Sequence, residues 1–308
     1  MCHAEEKMKR KKSIWICSLC AAALMLSVQS HAEVETVLVG PGAAPAAVTE
    51  GGQQNPSFPA QGNSADVNSP GYYDETVLGA HSPLTNEGVA AEYQWIKDNI
   101  ASEFMPYVIE HAEGNPNVIH FLYMWGQHAQ SPDTFEYTDE EREAAIPLLM
   151  QWDYRWGFPT YGGGPAGLTA CAPTCMAMIG FGLTGDESIN PRSMYEYSAA
   201  SGFWVSGQGT SWSIVTNAFP KHPIYCTQIS VTQDAVAYEL SQGHPVLINV
   251  GIGKFSAVGH FMVLAGVAED GTFILNDPNN LENSSKTWSW GDLSTEITAA
   301  WSYSYAGS

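Results

Sequence analysis

Basic residues are scarce in this chain: 12 Lys and Arg stand against 32 Asp and Glu, for a formal net charge of −20. Residues 1–32 hold five of the basic residues and two of the acidic ones, so the chain that follows them carries −23. So acidic a surface repels nucleic acid, anionic lipid and anionic wall polymers, and no basic run beyond position 12 offsets it. Long apolar runs are missing too. The one at 14–28 falls short of the roughly 20 residues a spanning helix needs, and nothing later replaces it. Metal-ligand spacing is absent around His111, His120 and His128, and the C-x-x-x-C pair of Cys171 and Cys175 lacks the second pair that zinc sites use. The loop Tyr161-Gly162-Gly163-Gly164 has neither the spacing nor the lysine of a phosphate cradle, which excludes nucleotide binding there. No cofactor and no metal are expected.

What is present begins with Lys7-Met8-Lys9-Arg10-Lys11-Lys12, the apolar run and Ser30-His31-Ala32. These have the n-region, h-region and cleavage site of a secretory signal over 1–32. Leu19 stands before Cys20 where lipidation wants a small residue, which argues against a lipid anchor. A secreted protein without membrane attachment is expected. Of six cysteines only Cys171, Cys175 and Cys226 then remain, an odd number that leaves at least one free thiol. A Cys175–Cys226 disulfide would leave Cys171 free; two buried thiols are the other reading, since free Cys behaves as a small hydrophobe.

Residues 33–87 are rich in Pro, Gly, Ala, Asn and Ser with little periodicity, and read as a disordered linker or pro-like arm. Over 88–147 the pattern turns helical. Val89, Tyr93, Ile96, Ile100, Phe104, Val108 and Ile109 recur at three- and four-residue steps, with a break near Pro106, and a turn at Asn115-Pro116-Asn117 leads into a second apolar segment. A short helix opens at Thr138-Asp139-Glu140-Glu141 and stops at Pro147. These helices carry no evident chemistry. From residue 148 onward come a helix over 173–181 closing at Gly182, another over 191–200, a turn at Gly207-Gln208-Gly209 with Thr210 or Ser211 as helix cap, and a helix over 233–242. Apolar and β-branched runs follow, with glycine turns between them. Helices first and an antiparallel sheet afterwards make an α+β domain.

Within it, Pro173 suits a first helical position, so Cys171 falls just outside a helix N-terminus, where partial positive charge favours thiolate. His260 opens one strand and Asp277 ends the next. An imidazole near neutrality can take the thiol proton and return it to a leaving group, and a carboxylate on its other nitrogen fixes the tautomer. Antiparallel neighbours can bring those two positions to one end of the sheet. Trp212 reads either as a cleft wall or as core.

Six separated segments now carry a resemblance. Ala170-Cys171-Ala172-Pro173-Thr174-Cys175-Met176-Ala177-Met178 resembles the G-C-G-P-T-x-x-A-M segment of the C39-like cysteine peptidase family. Gly259-His260-Phe261-Met262-Val263-Leu264 and Asn276-Asp277-Pro278 resemble its G-H-[FY]-[IV]-V and N-D-P segments. Gln151-Trp152-Asp153 with Trp156-Gly157, Gly207-Gln208-Gly209-Thr210-Ser211-Trp212 and Trp301-Ser302-Tyr303 are similar to the exported, stand-alone bacterial branch. The likeness covers roughly 145–305. It implies a papain-like catalytic domain over 148–308, its nucleophile helix packed on an antiparallel sheet. It further implies a Cys171, His260, Asp277 triad and an oxyanion glutamine at Gln151. Ala170 and Ala172 replace the flanking glycines; if those positions need positive φ, the site is impaired. The expected function is a secreted, monomeric cysteine peptidase or amidase acting on a peptide or protein. A peptidoglycan amidase or endopeptidase and an inactive papain-like peptide-binding module are the alternatives.

Overall fold

The computed structural model describes residues 86–104, 106–205 and 209–307. The expected signal over 1–32, all but the last two residues of the 33–87 arm, and Gly207-Gln208 lie outside the described residues. Among the described residues no helix is long and apolar enough to cross a membrane.

Helical structure starts slightly earlier than the periodicity suggests. Helix α1 (Asn86–Asn99) is followed by a 3₁₀ turn (Ala101–Glu103), α2 (Pro106–Ala112) and α3 (Pro116–Gly126). The break near Pro106 is real, and the proline opens the next helix because a missing N–H costs nothing in a first turn. Asn115 caps α3, its Oδ1 accepting from the Val118 N–H at 3.3 Å. Ile96, Ile100, Val108, Ile109, Val118, Ile119 and Leu122 bury one side of these helices in a shared core. That core is completed by Met150, Trp152 and Leu168 from the following segment. The short α4 (Asp139–Glu143) carries a full capping box between Thr138 and Glu141. It ends before Pro147 because the chain is already extended at Ala144.

Next, a hairpin of β1 (Thr160–Tyr161) and β2 (Gly164–Pro165) turns through Gly162 and Gly163, at φ 64° and 97°. Glycine reaches such angles at no steric cost, and the tight loop read from the sequence is this turn. Helices α5 (Ala166–Thr169) and α6 (Cys171–Thr184) follow, then α7 (Pro191–Ala200), β3 (Trp204–Val205), β4 (Gly209–Thr210) and α8 (Ser213–Asn217). The cap of α8 is Trp212, not Thr210 or Ser211. The Thr210 hydroxyl is committed to Tyr161 Oη at 2.8 Å, and Ser211 Oγ takes the Ser213 N–H at 3.2 Å.

A six-stranded antiparallel sheet then forms from β5 (Ile224–Ile229), β6 (Val246–Val250), β7 (His260–Val267), β8 (Phe273–Asn276), β9 (Thr287–Trp288) and β10 (Ile297–Tyr305), in the order β5-β10-β6-β7-β8-β9. Strand alternation splits its faces. Leu247, Phe261, Val263, Trp301 and Tyr303 pack toward α6. Ile248, Met262, Leu264 and Leu275 pack toward Val236 and Leu240 of α9 (Gln233–Ser241). Short helices α10 (Leu281–Ser284) and α11 (Trp290–Ser294) complete the chain. The α+β, papain-like architecture expected from the resemblance is the one observed.

Helix α6 differs from expectation at both ends. It starts at Cys171, with the Ala170 carbonyl accepting the Thr174 N–H at 2.9 Å, so Pro173 is its third residue. A first-turn proline needs no N–H and its ring meets no helical carbonyl behind it, so it sits there freely. Nor does Gly182 end the helix; Gly185 does, at φ 69°. Gly182 instead lets the helix approach another segment: an added Cβ would lie 2.7 Å from the Ala145 carbonyl oxygen and 2.8 Å from Ile146 Cδ1. Gly182→Ala is therefore expected to cost about 1–3 kcal/mol, read as a lowered urea midpoint at unchanged slope; a variant as stable as the parent would refute the close-approach role.

Candidate active site

The turn into Cys171 is built from hydrogen bonds. Thr169 Oγ1 donates to the Tyr161 and Pro165 carbonyls at 2.8 and 3.1 Å, and the Ala170 N–H donates to the Ala166 carbonyl at 2.9 Å. Ala170 lies at φ −100°, and His128 is the one non-glycine residue at positive φ among those described. The alanines on either side of Cys171 are thus unstrained, and backbone geometry gives no reason for an impaired site. Cys171 is half-buried and heads α6, so the N–H groups of that first turn face out from the positive end of the helix dipole.

Its neighbour one turn on behaves differently. Cys175 is buried, its Sγ donates to the Phe261 carbonyl at 3.3 Å, and burial, reinforced by the charge of Asp277, pushes its thiol well up. A thiol held protonated in the core is inert, so Cys171 is the reactive candidate of the pair. The same contact fixes the second turn of α6 beside the residue that follows His260. Cys226 is also a free thiol, raised by burial; the Cys175–Cys226 disulfide weighed from the sequence is absent.

His260 enters from Gly259, whose φ of 124° is open to glycine alone. Ser256 Oγ steadies that bend by accepting the Gly259 N–H at 3.1 Å. His260 Nε2 lies 2.7 Å from Asp277 Oδ1, and the two side chains are 5% and 1% exposed. A carboxylate oxygen only accepts, so the proton sits on Nε2 and Nδ1 is the ring nitrogen suited to accepting a proton. Asp277 is itself held. Oδ1 also accepts the Asn279 and Asn280 N–H groups at 2.9 and 3.2 Å, and Oδ2 accepts Asn283 Nδ2 at 2.8 Å. Asn283 went unnoticed in the sequence; the run of asparagines after Asp277-Pro278 was the available signal.

Gln151 is buried between the two halves of the site. Its N–H donates to the Pro278 carbonyl at 2.7 Å, next to Asp277, and its Nε2 donates to the Gly167 carbonyl at 2.9 Å, four residues before Cys171. The Gly167 carbonyl fixes which side of the amide carries NH₂, and that group keeps a second hydrogen to donate. Gln151, His260 and Asp277 border one cavity of about 250 Å³. Trp212, the cleft-or-core residue, is 48% exposed and rests edge-on against Trp301 and Phe261, with centroids 5.3 and 6.1 Å away.

His120 lies apart from this site, buried against Glu92 with Nδ1 2.8 Å from Oε1. Among the described residues no cluster of three or more His, Cys, Asp or Glu could hold a metal. No curated protein matches the chain. The family model described as Peptidase_C39 like family matches residues 143–307, more than half of the chain, and the protein belongs to this family of C39-like, papain-fold peptidases.

Proposed function

We propose that the protein is a secreted cysteine peptidase or amidase, with Cys171 as nucleophile, His260 as base and acid, Asp277 as the residue orienting the imidazole, and Gln151 as an oxyanion donor. The observation that carries this reading is the buried His260–Asp277 pair, 2.7 Å apart, at the start of the strand on which α6 packs with Cys171 at its head.

His260 Nδ1 takes the Cys171 proton, and the thiolate attacks the carbonyl carbon of the scissile amide. Negative charge moves onto the carbonyl oxygen, where Gln151 Nε2 and the Cys171 N–H stabilise it. The C–N bond then breaks as the imidazolium gives its proton to the leaving amine, and an acyl thioester remains on Cys171. Water, deprotonated by His260, attacks the thioester and releases the carboxylic acid and the thiol. The excess of acidic residues disfavours acidic substrates and wall polymers. No cofactor enters any step.

Alkylation by iodoacetamide across pH tests the reading. One thiol is expected to react well below the free-cysteine pKa of about 8.5, with that reaction lost in Cys171→Ala and slowed in His260→Ala. Cys171 labelling no faster than in the urea-unfolded chain would sink the proposal.

A further inference from the structure

The helices ahead of the family match show no chemistry in the sequence, yet they reach the site. Val108 and Ala112 of α2 and Val118 of α3 line the same 250 Å³ cavity that Gln151, His260 and Asp277 border, and Leu168, Phe255 and Val258 line it as well. We propose that this cavity is a substrate side-chain pocket whose wall is supplied by α2 and α3, and that it takes one uncharged, apolar residue of a peptide. The proposal rests on the thiol-hydrolase reading above and names the substrate class of that site.

Two observations carry it. The first is the lining. The apolar side chains come from three separate segments and form one part of the lining, beside polar Asn115, Ser256, Asn279, Asn280 and Asn283. That apolar part gains by excluding water from an apolar group, and the charged groups nearby already have partners. Lys254 Nζ is 3.0 Å from Asp292 Oδ1 and lies over the Trp288 ring at 4.4 Å, and the Asp277 carboxylate meets four donors. Both charges thus already have partners within the protein. The second is the docking of the wall. Asn115, which caps α3 through Oδ1, donates from Nδ2 to the Asn279 carbonyl at 2.8 Å, and Trp152 Nε1 donates to that same carbonyl at 3.0 Å. The helices are thereby tied to the loop that leaves Asp277, and their core closes over Trp152 and Leu168. A pocket held on both sides in this way is pre-formed, so an occupant need not order it.

Binding to the full-length Cys171→Ala protein tests the pocket without turnover. The probes are capped glycine-rich peptides carrying one Leu, Phe, Ala or Glu at each position in turn, with affinity measured by calorimetry. At one position the Leu or Phe peptide is expected to bind at least about tenfold tighter than the Ala and Glu peptides. Adding Val118→Trp is expected to erase that advantage while Ala-peptide affinity stays within about threefold. Because Val118 packs in a core, Gly114→Trp serves as the second variant: an added Cβ there meets no atom within 4 Å. It is expected to weaken the Leu and Phe peptides at least about threefold, with circular dichroism confirming the fold of both variants. Equal binding of all four guests, no binding of any, or a preference that survives Gly114→Trp overturns the pocket. Those outcomes leave the hydrolase reading to the Cys171 labelling profile, so the two failures are separable.

Discussion

Replacing His260 with alanine is expected to cut turnover of a peptide or amide substrate by roughly 10²–10⁴-fold, the usual worth of a positioned general base. The two substitutions at Asp277 should then separate. Asp277→Ala removes the acceptor of His260 Nε2 and also of the Asn279 and Asn280 N–H groups and Asn283 Nδ2. The ring loses its tautomer and the loop loses its anchor, so activity should fall about as far as in His260→Ala. Asp277→Asn keeps one oxygen. The two backbone N–H groups at Oδ1 dictate that this oxygen stays toward His260, which preserves the proton on Nε2. The new NH₂ then faces Asn283, whose amide can turn its own oxygen to accept. The asparagine variant should retain at least about tenfold more activity than the alanine variant, with KM little changed in either. Equal loss in both, or wild-type turnover in His260→Ala, would remove the proposed base and its orienting acceptor.

The second large effect concerns stability. Arg155 is buried between two carboxylates: Nη2 lies 2.6 Å from both Glu141 Oε1 and Asp153 Oδ2, and Nη1 donates to the Glu136 carbonyl at 3.1 Å. Its guanidinium also stacks over Trp156 at 4.3 Å. This fork joins the α4 segment to the Trp152–Trp156 turn that positions Gln151. Arg155→Met keeps the bulk and strands the buried Asp153 and the partly buried Glu141, which is expected to cost about 3–5 kcal/mol, or roughly 6–20 °C in Tm for a domain of this size. The loss should depend on pH with a definite sign. Burial pushes Asp153 up to about 6, with the Arg155 charge the largest opposing influence. Without Arg155 it rises further. A carboxyl that holds its proton more tightly when folded than unfolded contributes stability at low pH and loses it as pH rises toward the folded pKa. Above pH 6 the wild type has already passed that window while the variant is still descending, so the deficit should widen between pH 6 and 8. Chemical denaturation at those two pH values reads it, and a deficit that stays constant or narrows would count against the stranded carboxylates.

The elements that sequence reading located best are those whose signals are local. The helix at Pro191–Ala200 follows from an asparagine cap and a proline at its first position. The Gly162-Gly163 turn follows from two residues that tolerate positive φ. The order of Cys171, His260 and Asp277 was legible because each sits at the boundary of an element whose pattern is itself readable, and the resemblance added Gln151. The errors at α6 were also local readings: Pro173 and Gly182 each have a usual meaning at helix ends, and each was overruled by what lies around it. Pro173 is simply tolerated two residues further into the helix, and Gly182 answers to the Ala145 carbonyl, which no helix rule can see.

What the sequence by itself determined is the α+β class, most of the longer elements and the peptidase family, because periodicity, capping and side-chain type are properties of neighbouring residues. Only the tertiary structure decided how the site is enclosed. Asn115 bonds Asn279 across 164 positions of chain, and Gln151 joins Pro278 to Gly167. Helices that read as chemically silent wall the cavity beside His260, because burial of their apolar faces against Trp152 and Leu168 carries them there. Apolar burial is non-directional and sets no mark in the sequence saying which distant surface will receive it.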